Sequence, residues 1–179
     1  MRNSYSVVFI AVITVLSGLH VSAETEDAKS CDRHPAWSNV DVPADLAPAV
    51  AEIYSRSSTF KAQCALIAGA EQLRVSIQLD TSMRSSCRAF SVITRKGRMI
   101  RAEVHLPPSG VLFGELIGHE FEHILEQLEG LRLRELARVR GSGVHEVERN
   151  LFETARAERT GRIVGEEVRS ARAARRFAD

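Results

Sequence analysis

The sequence predicts an α+β domain, in which a small antiparallel sheet packs on one central helix and on a long C-terminal helix. Three observations carry this. Between Val75 and Leu106 apolar residues alternate with polar ones, the period of half-buried strands. From Leu112 to Leu128 the apolar spacing becomes three and four, the period of an amphipathic helix. From about Val144 to Arg176 the chain is rich in Arg and Glu, as a long helix with a solvated face would be.

The chain has 179 residues, 44% hydrophobic and 26% charged, with a formal net charge of +1. This composition fits a globular domain and excludes both a membrane bundle and a disordered chain. So even a balance also argues against nucleic acid as a partner, because phosphate neutralisation needs a surplus of basic groups. The basic residues include only three lysines, Lys29, Lys61 and Lys96, and the arginines are interleaved with Glu.

Arg2, the apolar run Val7 to Leu16 and the small residues of Val21-Ser22-Ala23 read as a secretory signal peptide over residues 1–23, cut after Ala23. The run is short for a membrane span, which needs about 20 residues. The expected product is exported to the periplasm or the medium and leaves the membrane after cleavage. Residues 24–42 are polar and proline-punctuated, an N-terminal arm. Residues 43–179 form the single domain.

A helix opens near Asp41 or Pro43 and runs to about Ser55, with Leu46, Val50, Ile53 and Tyr54 on its apolar side. A second apolar stretch covers Phe60 to Ala70. Then come three alternating runs: Val75 to Leu79, Phe90 to Thr94, and Ile100 to Leu106. Lys96-Gly97 provides a hairpin turn between the last two. The central helix follows and stops at Gly130. Gly141-Ser142-Gly143 breaks the chain before the last helix.

Cys31, Cys64 and Cys87 form no C-x-x-C pair, so a zinc-thiolate site is not expected. Export permits one disulfide. Cys64–Cys87 is the first choice, with Cys31 free. The equal alternative is that Cys64 is a small buried residue.

Chemistry concentrates in His119-Glu120-Phe121-Glu122-His123 on the central helix. This is H-E-x-x-H, which puts two imidazoles on one helix face where both can bind one metal ion. Glu120 stands beside them and can take a proton from a metal-bound water without being a ligand. Glu122, Glu126 and Glu129 read as a solvated face with no role. Gly118 inside the helix points to a packing or access requirement, since it costs about 1 kcal/mol against Ala.

Strands followed by a helix with His119-Glu120-x-x-His123, and then by a second helix bearing an acid, resemble the zincin metallopeptidases. The likeness is closest to the compact gluzincins, covers roughly residues 73–165, and is specific only in the five-residue motif. The metzincin pattern fails, because Glu126 and Glu129 stand where that group needs Gly and His. The resemblance implies one zinc ion and a downstream Glu as third ligand. Glu146, Glu148, Glu153, Glu158, Glu166 and Glu167 compete for that role, and His145 is a further alternative. From Glu153 one helical face continues through Ala157, Thr160, Val164 and Val168, small and apolar. From Glu158 the face runs through Gly161, Arg162, Gly165 and Glu166 and reads as solvated. A ligand must point inward, which favours Glu153. The competing role for Glu153 is an ion pair with Arg149 or Arg156. Phe152-Glu153-Thr154-Ala155-Arg156-Ala157 is similar to the gluzincin pattern, but the acid expected beside Ala157 falls one position late, at Glu158.

The resemblance therefore implies a secreted or periplasmic zinc-dependent metallopeptidase. It would hydrolyse peptide or protein substrates through a zinc-bound water, with His119, His123 and Glu153 as metal ligands and Glu120 as general base. The strand Ile100–Leu106 would pair with the substrate as an edge strand. The sequence identifies no oxyanion-stabilising group; His105, at the end of that strand, is a candidate for it, the alternative being an ordinary surface histidine. The alternative is an exported, non-catalytic binding module on the same scaffold, with or without structural zinc.

Overall fold

The computed structural model of the chain describes residues 7–13, 38–81, 87–107 and 112–176. The expected cleavage site at Val21-Ser22-Ala23 and Cys31 lie outside these residues. In order, the elements are β1 (Val7–Ile13), β2 (Val40–Asp41), α1 (Ala47–Arg56), α2 (Ser58–Ala68), β3 (Leu73–Leu79), β4 (Cys87–Lys96), β5 (Met99–Leu106), α3 (Phe113–Leu128), α4 (Leu133–Leu136), β6 (Val144–Glu148), β7 (Leu151–Thr154) and α5 (Ala155–Arg176). The fold is mixed α/β, with a small sheet and a long C-terminal helix.

The five-stranded sheet has the order β1-β4-β5-β3-β2. The hairpin of β4 and β5 is antiparallel, as the turn at Lys96-Gly97 leads one to expect, and Gly97 supplies its positive φ of 60°. The rest of the sheet departs from an antiparallel meander. β3 pairs parallel with β5, β2 parallel with β3, and β1 parallel with β4. A parallel neighbour needs a long crossover, and α1 and α2 provide it between β2 and β3. β5 sits in the middle because its inner residues Ile100, Ala102, Val104 and Leu106 bury almost completely there. It is paired on both sides and is not an edge strand, so it cannot add a substrate strand.

α3 lies on the inner face of the sheet against β4 and β5, with α2 and α5 packed on its other sides. Ile117, Phe121 and Ile124 of α3 join Phe60 of α2 and the inner residues of β3 and β5 in one core. Enclosure on so many sides buries every residue from Leu116 to Glu126, the acidic ones included. Glu122 and Glu126, expected on a solvated face, are 6% and 1% exposed.

The last helix is shorter than its composition suggests. Residues 144–154 form the hairpin of β6 and β7 instead, and α5 begins at Ala155. Gly141, Gly143 and Asn150 take positive φ values of 81°, 74° and 65° and set the turns around it. Leu151 and Phe152 bury against Leu133 of α4 as a small second cluster, which favours the hairpin over a helix with those residues exposed.

Helices α3 and α5 approach at glycines. A Cβ on Gly161 would stand 2.6 Å from the Glu115 carbonyl oxygen and 2.8 Å from His119 Cβ. One on Gly118 would stand 2.7 Å from Val164 Cγ2, so that glycine answers a packing requirement. Gly161 and Gly165 are buried, not solvated. Ser57, Ser58 and Thr59 at the start of α2 all bond to the Glu167 carboxylate, which ties α5 to the other helices.

Cys64 is a free thiol, 2% exposed in the core, so the Cys64–Cys87 bridge is not formed. Burial pushes its pKa up to about 12, which leaves it inert.

In an exposed helix, Gly→Ala stabilises by about 1 kcal/mol. At Gly161 the overpacking penalty of about 1–3 kcal/mol should outweigh that gain. Urea unfolding of Gly161→Ala is expected to show a net loss of stability. A net gain would mean that α5 is not pinned against α3 at this point.

Candidate metal centre

His119 and His123 stand one turn apart on α3, and their Nε2 atoms approach to 3.0 Å. Glu153 reaches them from β7, two residues before α5 starts. Its Oε1 lies 3.2 Å from His119 Nε2 and 3.4 Å from His123 Nε2. The three side chains are the group among the described residues able to hold a metal ion together, and all are buried. Glu153 stands on a strand and not on the face of the last helix that the sequence predicts for it. It is 2% exposed because all four residues of β7 are buried. Arg156, its possible ion-pair partner, is engaged by Glu122 and Glu129. Glu158 and His145 are exposed and stand outside the group.

The geometry fits zinc. Ligands at about 2.0–2.1 Å in a tetrahedron are about 3.3–3.4 Å apart. The three observed separations lie close to that edge length. Two imidazole nitrogens and one carboxylate oxygen are also a donor set that leaves one tetrahedral position for water or substrate.

Glu120 is fully buried on α3. Its Oε2 accepts a hydrogen bond of 2.6 Å from the Ser91 hydroxyl on β4, while its Oε1 has no partner. An unpaired buried carboxylate oxygen is unfavourable, and a water or substrate group at the centre would satisfy it. Ser91 is not expected from sequence: the alternation of Phe90, Val92 and Thr94 assigns it to the outward side of β4, whereas Ala89, Ser91 and Ile93 are the residues that bury. Burial pushes the Glu120 carboxyl above its ordinary range, against the pull of His119, His123 and Ser91.

The other buried acids of α3 are held too. Glu122 accepts from Gln63 and Arg156. Glu126 Oε2 lies 3.0 Å from His123 Nδ1, and its Oε1 accepts a 2.6 Å bond from Thr154 Oγ1. His105 lies on the opposite face of the sheet. It pairs with Asp80 at 3.6 Å and stacks on Phe90, so it cannot serve the centre as an oxyanion donor.

No family model matches this chain, and no curated protein or solved structure is similar to it.

Without metal, burial opposes charge on His123, but the Glu126 and Glu153 carboxylates bonded to its ring raise its pKa from 6.5 to about 10. Burial likewise opposes charge on Glu153, and the two imidazoles overcome it, lowering its pKa from 4.5 to about 2. A raised folded pKa contributes stability that is complete below the unfolded value and lost as pH rises through the folded one. A lowered one contributes stability that is complete above the unfolded value and lost as pH falls through the folded one. His123 therefore makes the metal-free protein lose stability between pH 6.5 and about 10, and the raised Glu120 acts in the same sense. Glu153 makes it lose stability below pH 4.5. Urea midpoints measured across pH should fall on both sides of this window; a midpoint that rises from neutral to alkaline pH would contradict the site's electrostatics.

Proposed function

We propose that this protein is an exported zinc-dependent metallopeptidase with a zincin-like arrangement of its helices and sheet. The observation that supports it is the convergence of His119, His123 and Glu153 beside a buried carboxylate, Glu120, with one oxygen free. His119, His123 and Glu153 would hold the zinc, which would supply a Lewis acid and lower the pKa of water there towards ~7.

The chain's own residues do the rest. Ser91 holds Glu120 Oε2 and so fixes the direction of Oε1. Glu120 Oε1 accepts the proton of the attacking water as that water adds to the peptide carbonyl. A carboxyl raised by burial is a stronger base than one in water, and it can hand the same proton to the leaving amine. Residues enclosing α3 keep bulk water from competing at this carboxylate.

Peptide substrate would reach the centre along β4. Val7–Ile13, within the proposed leader, runs parallel to β4 as strand β1 and lies along β7, the strand that carries Glu153. Cleavage after Ala23 would remove β1 and leave β4 as the sheet edge beside the centre. An extended peptide can then add there through main-chain hydrogen bonds. No helix among the described residues is long and apolar enough to cross a membrane.

Substitutions separate the roles. His119→Ala or His123→Ala should abolish zinc binding, and Glu153→Gln should weaken it, since a neutral amide is a poorer ligand than a carboxylate. Glu120→Gln should keep zinc and thermal stability while lowering hydrolysis of unfolded protein substrates at least about 100-fold. Metal analysis and a peptidase assay read all four. Full zinc content in both His variants would discard the centre. A zinc-loaded wild type that cleaves nothing across a broad substrate set would leave the non-catalytic binding module as the function.

A further inference from the structure

Glu126 is a buried acid that the hydrolytic scheme does not use. It is 1% exposed on α3, and both its oxygens are taken by particular donors. A carboxylate only accepts hydrogen bonds, so the 3.0 Å contact with His123 requires the proton on Nδ1. The neutral ring then carries its lone pair on Nε2, the atom that faces His119 and Glu153. The opposite tautomer would set a lone pair against the carboxylate.

The second oxygen of Glu126 leads to Thr154. The Thr154 hydroxyl donates to Glu126 Oε1 at 2.6 Å and accepts from the Ala157 N–H at 3.0 Å, capping α5. The Thr154 backbone N–H donates to Glu153 Oε1 at 2.9 Å, the oxygen that faces both histidines. One residue thus connects the third ligand, through Glu126, to the second. A hydroxyl that both donates and accepts is required for this, and Ser or Thr meets the requirement where Val, of similar shape, does not.

We infer that Glu126 and Thr154 are positioning residues of the metal centre, together fixing the tautomer of His123 and the placement of Glu153. The inference rests on reading the triad as a zinc site. Neither residue touches the reacting atoms; they act through the ligands, as outer hydrogen-bond partners of metal-bound histidines do. Because they form one chain of bonds, the effects of breaking it at two points should not add.

The test uses zinc alone as the probe, with its dissociation constant read by competition with a chromophoric chelator. The visible spectrum of the cobalt(II)-loaded protein reports ligand geometry independently of activity. Glu126→Gln is expected to weaken zinc about 10- to 100-fold, the range for loss of such partners, and to shift the cobalt bands. Thr154→Val should weaken zinc in the same direction, the double variant no more than Glu126→Gln alone, and Thr154→Ser should restore wild-type affinity. If Glu126→Gln does not fold, the contrast between Thr154→Val and Thr154→Ser decides. Wild-type affinity and an unshifted cobalt spectrum in the variants, or fully additive losses, would overturn the inference while leaving the zinc site intact. A wild type that takes up no zinc would overturn the site and the inference together.

Discussion

The close approach of α5 to α3 sets the geometry on which the rest depends. Gly161 lets α5 lie against the Glu115 carbonyl and the His119 Cβ, and Gly118 admits Val164 from the other side. Because α5 follows β7 without a linker, its position also fixes where Glu153 enters. A helix pair held apart by alanines would draw Glu153 Oε1 away from the two Nε2 atoms. Glycine costs helix stability at each site, and here the cost is offset by contacts that no other residue permits.

Enclosing α3 has a second consequence. A helix surrounded by sheet and helices is normally apolar all round, yet this one carries Glu120, Glu122 and Glu126 in its buried stretch. Buried carboxylates are tolerated only when paired or hydrogen-bonded. Glu122 meets Arg156 and Gln63, and Glu126 meets His123 and Thr154. Glu120 is the exception, with Ser91 on one oxygen and nothing on the other. Asn39 Oδ1, Gln63 Oε1 and Ser76 Oγ are also buried without a partner, but Glu120 Oε1 is the unpaired oxygen among the buried acids of α3, where the proposed hydrolysis would place its base.

Much of this was legible in the sequence where periodicity is local. The alternating runs became β3, β4 and β5, although in β4 the buried phase is Ala89, Ser91 and Ile93 and not Phe90, Val92 and Thr94; the turn at Gly97 became the hairpin, and the three-four spacing became α3. Strand order was not legible, because alternation reports one buried face and says nothing of which strand lies in the middle. The β6–β7 hairpin was hidden by its Arg- and Glu-rich surroundings, although Gly143, Asn150 and a Thr154 cap just before Ala155 mark it. His119, Glu120 and His123 followed from spacing alone. Glu153 was reached by a helical face that does not exist there, since it sits on a strand. Glu126 shares the helix face of His119 and His123, but its charge favoured solvent until the elements packed around α3 were in view.

X-ray absorption at the zinc edge of the zinc-loaded protein tests the His119–His123–Glu153 centre most directly. Those ligands require a first shell of nitrogen and oxygen only, at about 2.0–2.1 Å, with outer-shell scattering from two imidazoles. A sulfur shell at about 2.3 Å, or fewer than two imidazoles, would place the zinc on other residues and contradict the centre described.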